Sequence, residues 1–169
     1  LDEHGGPPIP PPPSPLPDAP HLLLGLDTAR SWSVRRERTC FFRSHLVLNS
    51  AYFLSHANIL GLDRGVAAVA AQYRRSAALP SVQVVAVRYP SAAAAAAARR
   101  AFLREYLRLG EPAESDGAAT AAHVEDGWVG VYRAGSLLAL AFRCTDGEEA
   151  RTVAGRAAAA LVSKEEHDE

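Results

Sequence analysis

Four residues in this chain have types and spacing that suit chemistry. They are His45, Asn49, Tyr52 and His56. If residues 41 to 60 form a helix, the i, i+4, i+7, i+11 spacing sets them in one row between two apolar groups. A polar row on an apolar face needs hydrogen-bond partners. Two readings stay open: the four side chains bond to backbone or to one another inside the core, or they face a small ligand, a haem edge or a partner protein. Joint ligation of one metal is excluded on such a helix, because the two imidazoles would stand roughly 16 Å apart along its axis. His123 is the one further imidazole outside the terminal segments.

Other catalytic signatures are missing. There is no Cys-x-x-Cys-His for covalent haem, no Cys/His cluster of metal-site spacing, no G-x-S-x-G elbow and no Walker-type loop. No metal and no cofactor is expected. Glu148 and Glu149 follow Asp146 at a helix start, where the dipole favours carboxylates, and read as caps rather than as paired catalytic acids. The chain holds two cysteines, Cys40 and Cys144. Either they are unrelated thiols, or they form one disulfide closing a loop of over a hundred residues, which would contribute roughly 2–4 kcal/mol if unstrained.

The elements that must position these residues follow from local pattern. Residues 1–20 hold nine of the twelve prolines, including Pro10, Pro11, Pro12 and Pro13, so this stretch reads as an extended tether, or a strap along a partner. One α+β domain is expected over 21–163, followed by a charged tail over 164–169. Leu22 to Leu26 begins the ordered part. Phe41 to Leu60 reads as a helix closed by Gly61. Gly65 to Arg75 and Ser81 to Tyr89 read as strands, the second apolar on both sides at Val84 to Val87 and therefore covered on both faces or placed at an interface. Ser91 caps an Ala-rich helix that ends at Gly110. Glu111 to Asp126 reads as a flexible crossover. Trp128 to Arg133 and Leu137 to Cys144 flank Ala134-Gly135 as a hairpin. A final helix follows, with Ala150, Val153, Ala154, Ala157 and Leu161 on its core side.

The pattern occurs twice: strand, turn, strand, capped Ala-rich helix. Unit one covers about 65–109 and unit two about 127–162, joined by the crossover over 110–126. The expected fold is α+β: duplicated β-β-α units forming a four-stranded antiparallel sheet, with the helices packed on one face and an additional N-terminal helix.

Net charge is −1, which gives no electrostatic basis for binding nucleic acid. No apolar run reaches the ~20 residues of a membrane-spanning helix. The chain begins at Leu1 and contains no Met, which reads either as a processed mature form, with a leader or membrane anchor removed upstream, or as a piece excised from a longer chain.

Phe41-Phe42-Arg43-Ser44, Leu48 to Tyr52, Ile59 to Leu62, Val84 to Ser91 and Asp126 to Arg133 with Leu137 to Phe142 together carry a resemblance. Over residues 40 to 162 the chain resembles the C-terminal half of a family of exported bacterial proteins of unknown function, common in acidobacteria and deltaproteobacteria. It is more weakly similar to actinobacterial lipoprotein sensor domains. The resemblance implies an extracytoplasmic location, periplasmic or at the cell surface, and association with a membrane through an anchor. It supplies no catalytic residue.

Three functions follow from these readings. The foremost is a non-catalytic extracytoplasmic accessory subunit or protein-binding module with a protein partner, within a membrane-associated complex. The second is a small-molecule-binding or sensor domain of a lipoprotein. The third is an enzyme on an α+β sandwich, which fold alone does not exclude.

Overall fold

A computed structural model describes residues 32–75, 78–110 and 117–165. The Pro10–Pro13 strap, the Leu22–Leu26 segment and the acidic half of the crossover lie outside the described residues, as does most of the charged tail.

The chain is α+β. Among the described residues it runs β1 (Ser33–Phe42), α1 (His45–Ala51), β2 (Ala67–Arg74), β3 (Val82–Arg88), α2 (Ala92–Ala101) continuing into a π-helical turn (Phe102–Tyr106), β4 (Thr120–Val124), β5 (Gly127–Ala134), β6 (Leu137–Cys144) and α3 (Gly147–Glu165). The strands form one antiparallel sheet in the order β1-β2-β3-β6-β5-β4. Among the described residues it has six strands, not four, because two segments read otherwise from sequence are also strands.

The first is β1. The expected helix over Phe41 to Leu60 gives way to a strand ending at Phe42 and to a helix of seven residues. Phe41 and Phe42 point to opposite faces of the sheet, as strand geometry demands. Ser44 then starts α1 by accepting a bond from the Leu46 amide. The Asn49 side chain prevents the helix from continuing. Its Oδ1 accepts from the Leu54 amide at 2.9 Å and its Nδ2 donates to the Ser55 carbonyl at 2.7 Å, so polar groups that a longer helix would engage are satisfied locally. Tyr52 already has extended backbone angles. Gly61, expected to close the helix, instead takes a left-handed conformation in the loop that follows.

The second is β4, inside the expected flexible crossover. Thr120 to Val124 pairs along its whole length with β5. It is held from beside by Arg99 of α2, which is 3% exposed and donates to the Thr120 hydroxyl.

The central elements follow the sequence. β2 and β3 form a hairpin, β5 and β6 another, and the two join through β3 and β6 with Val85 opposite Leu140. The tight turn of the second hairpin is Gly135-Ser136, one residue later than expected, since Ala134 still pairs with Leu137. Ser91 caps α2 by accepting from the Ala94 amide. Asp146 caps α3 by accepting from Glu149 N, while the Glu149 carboxylate returns to Thr145 N, a reciprocal N-terminal device. The left-handed residue that ends the π-helical turn is Arg108, not Gly110.

The helices do not share a face. α2 and its π-helical turn cover the face carrying Val85, Val87, Leu138, Leu140 and Phe142. α3 covers the face carrying Val84, Ala86, Ala139 and Ala141. The segment 48–62 joins α2 on the first face through Leu48, Tyr52, Leu54, Ile59, Leu60 and Leu62. The expectation of helices on one side is therefore corrected. Of the two readings of β3, cover on both faces is the one seen: the chain sandwiches β3 between its own layers. Tyr73 and Tyr132 do not hold matching places in the two hairpins. Tyr73 lies opposite Val82, at the start of β3, whereas Tyr132 lies opposite Ala139, two residues into β6.

Candidate functional site

The four residues singled out in the sequence are not a row. Asn49 is spent on the loop bonds described above. Tyr52 is 6% exposed, its ring tilted against that of Phe142 at 4.4 Å, and its hydroxyl lies 3.4 Å from that of Tyr106. His45 is half-buried at the start of α1, and His56 is exposed, with its ring edge-on to Phe53 at 5.1 Å. The backbone break at Asn49 turns Tyr52 inward and leaves His56 outward.

This segment builds a surface. Leu48, Leu54, Ile59, Leu60 and Leu62 are buried and fix it to the sheet. Asn58 clasps Leu62 through both its amide and its carbonyl. Tyr89 reaches up from the end of β3 to donate to the Leu60 carbonyl at 2.6 Å. Buried polar groups with such partners hold a backbone in one conformation. Against that fixed base, Leu46 is 69%, Val47 43% and Phe53 58% exposed. Scattered apolar exposure is ordinary. Here three of the five large exposed apolar side chains among the described residues fall between positions 46 and 53.

Behind it lies an aromatic cluster that the sequence reading missed. Tyr52, Phe102, Tyr106 and Phe142 meet with centroid separations of 4.4–6.0 Å. Burial pushes the hydroxyls of Tyr52 and Tyr106 above the ordinary phenol range. Their mutual contact and the charge of Asp126 raise Tyr52 further, whereas Arg143 opposes the shift. Arg143 stands with its guanidinium carbon 5.4 Å from the Tyr52 ring centre. It does so because β6 bulges there: the pairing slips between Trp128 and Gly130, and Arg143 takes φ +62. A bulge of this kind turns a side chain to the face its alternation would deny it. The large-small alternation Leu138-Ala139-Leu140-Ala141-Phe142 marked Phe142 as a core residue. No sequence signal marked Arg143.

On the opposite face Arg75 staples the end of β2 to the start of α3. Its Nη1 donates to both carboxylate oxygens of Glu149 at 2.6 Å and to the Thr145 hydroxyl, and its Nη2 donates to the Pro80 and Arg143 carbonyls. Trp32 covers the guanidinium at 5.7 Å. A shallow open depression beside this staple is lined by Trp32, Glu148, Thr152 and Arg156, among others. Its other carboxylates, Asp146 and Glu149, are already engaged as cap and staple.

Cys40 and Cys144 are free thiols. They belong to opposite faces, Cys40 beside the Phe42 cluster and Cys144 within the α3 cluster, on strands separated by β2 and β3. Three inter-strand steps are about 14 Å, beyond the roughly 7 Å between Cα atoms that a disulfide tolerates. Burial raises both thiols, that of Cys144 to about 12 with help from the Glu149 carboxylate, which makes them poor nucleophiles. Among the described residues no three His, Cys, Asp or Glu side chains converge to hold a metal. No helix among them is long and apolar enough to cross a membrane.

Comparison with known proteins returns no match: no family model, no curated protein and no solved structure resembles this chain closely enough to be matched.

Proposed function

We propose that this chain is a non-catalytic protein-binding module, an accessory subunit that docks a partner through the segment around α1. The single observation that carries the reading is the exposure of Leu46, Val47 and Phe53 on a segment clamped from behind by Asn49, Asn58 and Tyr89. A rigid backbone presenting apolar side chains binds without a large ordering cost, and an aromatic ring such as Phe53 is the usual kind of anchor. His56 at the edge of Phe53 supplies a polar rim. The test is site-specific photo-crosslinking in the native host, with the crosslinker at Phe53 or, as control, at the exposed Arg104 of the π-helical turn. One discrete protein adduct from position 53, lost when Leu46→Ser is added without a change in Tm, is the expected result. Equal labelling from both positions would end the proposal.

The extracytoplasmic location belongs to the same proposal and rests on the family resemblance alone. Its check is fractionation of host cells, with the chain expected outside the cytoplasm. The joining of the β2–β3 and β5–β6 hairpins through their second strands, with Val85 opposite Leu140, supports reading them as copies of one ancestral hairpin.

A second reading, a small-molecule binder, is favoured by Arg143. A non-glycine residue held at positive φ costs of order 1–3 kcal/mol and clusters at ligand sites. Here it carries a guanidinium over the ring of Tyr52, whose hydroxyl pairs with that of Tyr106, so that a small anion would find a charge and hydrogen-bond donors close together. A rise in Tm with phosphate or a small carboxylate, abolished by Arg143→Gly, would favour this reading over the first.

A further inference from the structure

Among the described residues the sheet has an open order with two edges, β1 and β4. Exposed edges template pairing with another chain unless charge, proline or a bulge blunts them. β1 is blunted. Its sequence carries Arg35-Arg36-Glu37-Arg38, and its pairing with β2 slips between Arg35 and Cys40. Two copies of β1 laid antiparallel would set these cations against one another.

β4 has none of these protections. Thr120-Ala121-Ala122-His123-Val124 contains no proline and no permanent charge, and it is regular throughout its pairing with β5. Apart from that ladder, none of its backbone N–H or C=O groups makes a hydrogen bond to a described residue. Side chains also suit it to its own copy. In an antiparallel pairing centred on Ala122, Ala122 meets Ala122. His123 then meets the small Ala121, and Thr120 meets Val124, a β-branched pair of the kind that stabilises adjacent strands. On one side the new contact would extend the layer that holds Ala122 and Val124, on the other the layer that holds Ala121 and Trp128.

We infer that the chain self-associates by antiparallel pairing of β4 with β4 of a second copy, fusing two sheets into one continuous sheet. The inference is independent of the α1 surface, which follows the opposite edge strand.

Sedimentation velocity of the full chain over a concentration series tests it, together with two variants chosen to spare the fold. Ala122→Cys places two thiols across the two-fold axis with Cβ atoms about 5 Å apart. Mild oxidation should then give a covalent dimer whose disulfide, mapped by mass spectrometry, joins the two introduced thiols, while the wild-type chain gives none. His123 is exposed, so His123→Asp and His123→Lys should fold with unchanged Tm. Each alone should weaken the dimer on the order of tenfold, since the two like charges become diagonal neighbours across the axis, and an equimolar mixture should recover it. A chain that stays monomeric across the series overturns the inference. So does a dimer that neither crosslinks at position 122 nor responds to charge at position 123.

Discussion

The two faces of the sheet are built from alternate residues of the same strands, yet they are unlike. One face presents Leu138, Leu140 and Phe142 from β6 with Val85 and Val87 from β3, and is filled by Tyr52, Phe102, Leu103 and the loop leucines. The other carries Tyr73, Val84 and Leu137 but is rich in alanine, with Ala71, Ala86, Ala139 and Ala141, and is filled largely by Ala150, Ala154, Ala157 and Ala158 of α3. The difference lies in how close a covering layer comes. Large side chains hold α2 and the 48–62 segment away and interlock with them. Small ones let α3 approach until its backbone meets the sheet at Gly130, where an added Cβ would collide with the Ala150 carbonyl. The first face should therefore be sensitive to losing volume and the second to gaining it.

Phe142→Ala tests the first half of that contrast. Removing the ring to which Tyr52, Phe102 and Tyr106 all turn should cost about 3–5 kcal/mol, read as a lowered urea midpoint, and near-ultraviolet circular dichroism should lose aromatic signal. A loss below 1 kcal/mol would mean that the cluster is loosely filled. Gly130→Ala tests the second half. Its obstacle is helix backbone rather than a flexible side chain, so one methyl group should cost about 3 kcal/mol, the upper end of ordinary overpacking. A near-neutral outcome would show that α3 can slide, and the contrast between the faces would fail.

The smallest expected effect is alkaline, and it sharpens the comparison because both faces contribute to it. Burial raises the Cys144 thiol from 9.0 to about 12 on the α3 side, and raises the Tyr52, Tyr89 and Tyr106 hydroxyls on the other. In each case the unfolded chain ionises first, so the native state holds the extra proton. The stability they contribute is complete below the unfolded values and is lost as pH rises through the native ones. Urea midpoints should be level near pH 8 and fall steadily above pH 9. Cys144→Ala should flatten the early part of the fall, and Tyr106→Phe the later part.

How much of this was legible in the sequence depends on what sets each element. β3 and β6 are strongly patterned apolar strands, and Ser91 and Asp146 are caps with local partners, so all four could be read. β1 could not, because Phe41 and Phe42 fit a helix period equally well. What decides between the two is the side chain of Asn49, which binds Leu54 and Ser55 only once the loop has turned. β4 could not, because two alanines and a histidine have little strand preference of their own; the partner strand supplies it. The face taken by each helix was also hidden, since it depends on the few residues after each strand and not on the repeat. Of the candidate site, Tyr52 and His56 fall on the same segment but on opposite sides of it: Tyr52 is buried against Phe142, and His56 is exposed beside Phe53. The Arg143 bulge, with no glycine to announce it, left no trace.

The order β1-β2-β3-β6-β5-β4 has a consequence for the nascent chain. β3 finds its second neighbour only in β6, across a connection that contains α2, β4 and β5. Synthesis proceeds at roughly 5–20 residues per second, so Val84 to Val87 must wait seconds with one edge bare and both flanks apolar. Ribosome-bound chaperones should engage the chain in that interval and release it once Leu137 to Cys144 has emerged. Slowing translation between the two hairpins should lower the yield of soluble protein more than the same delay placed after β6.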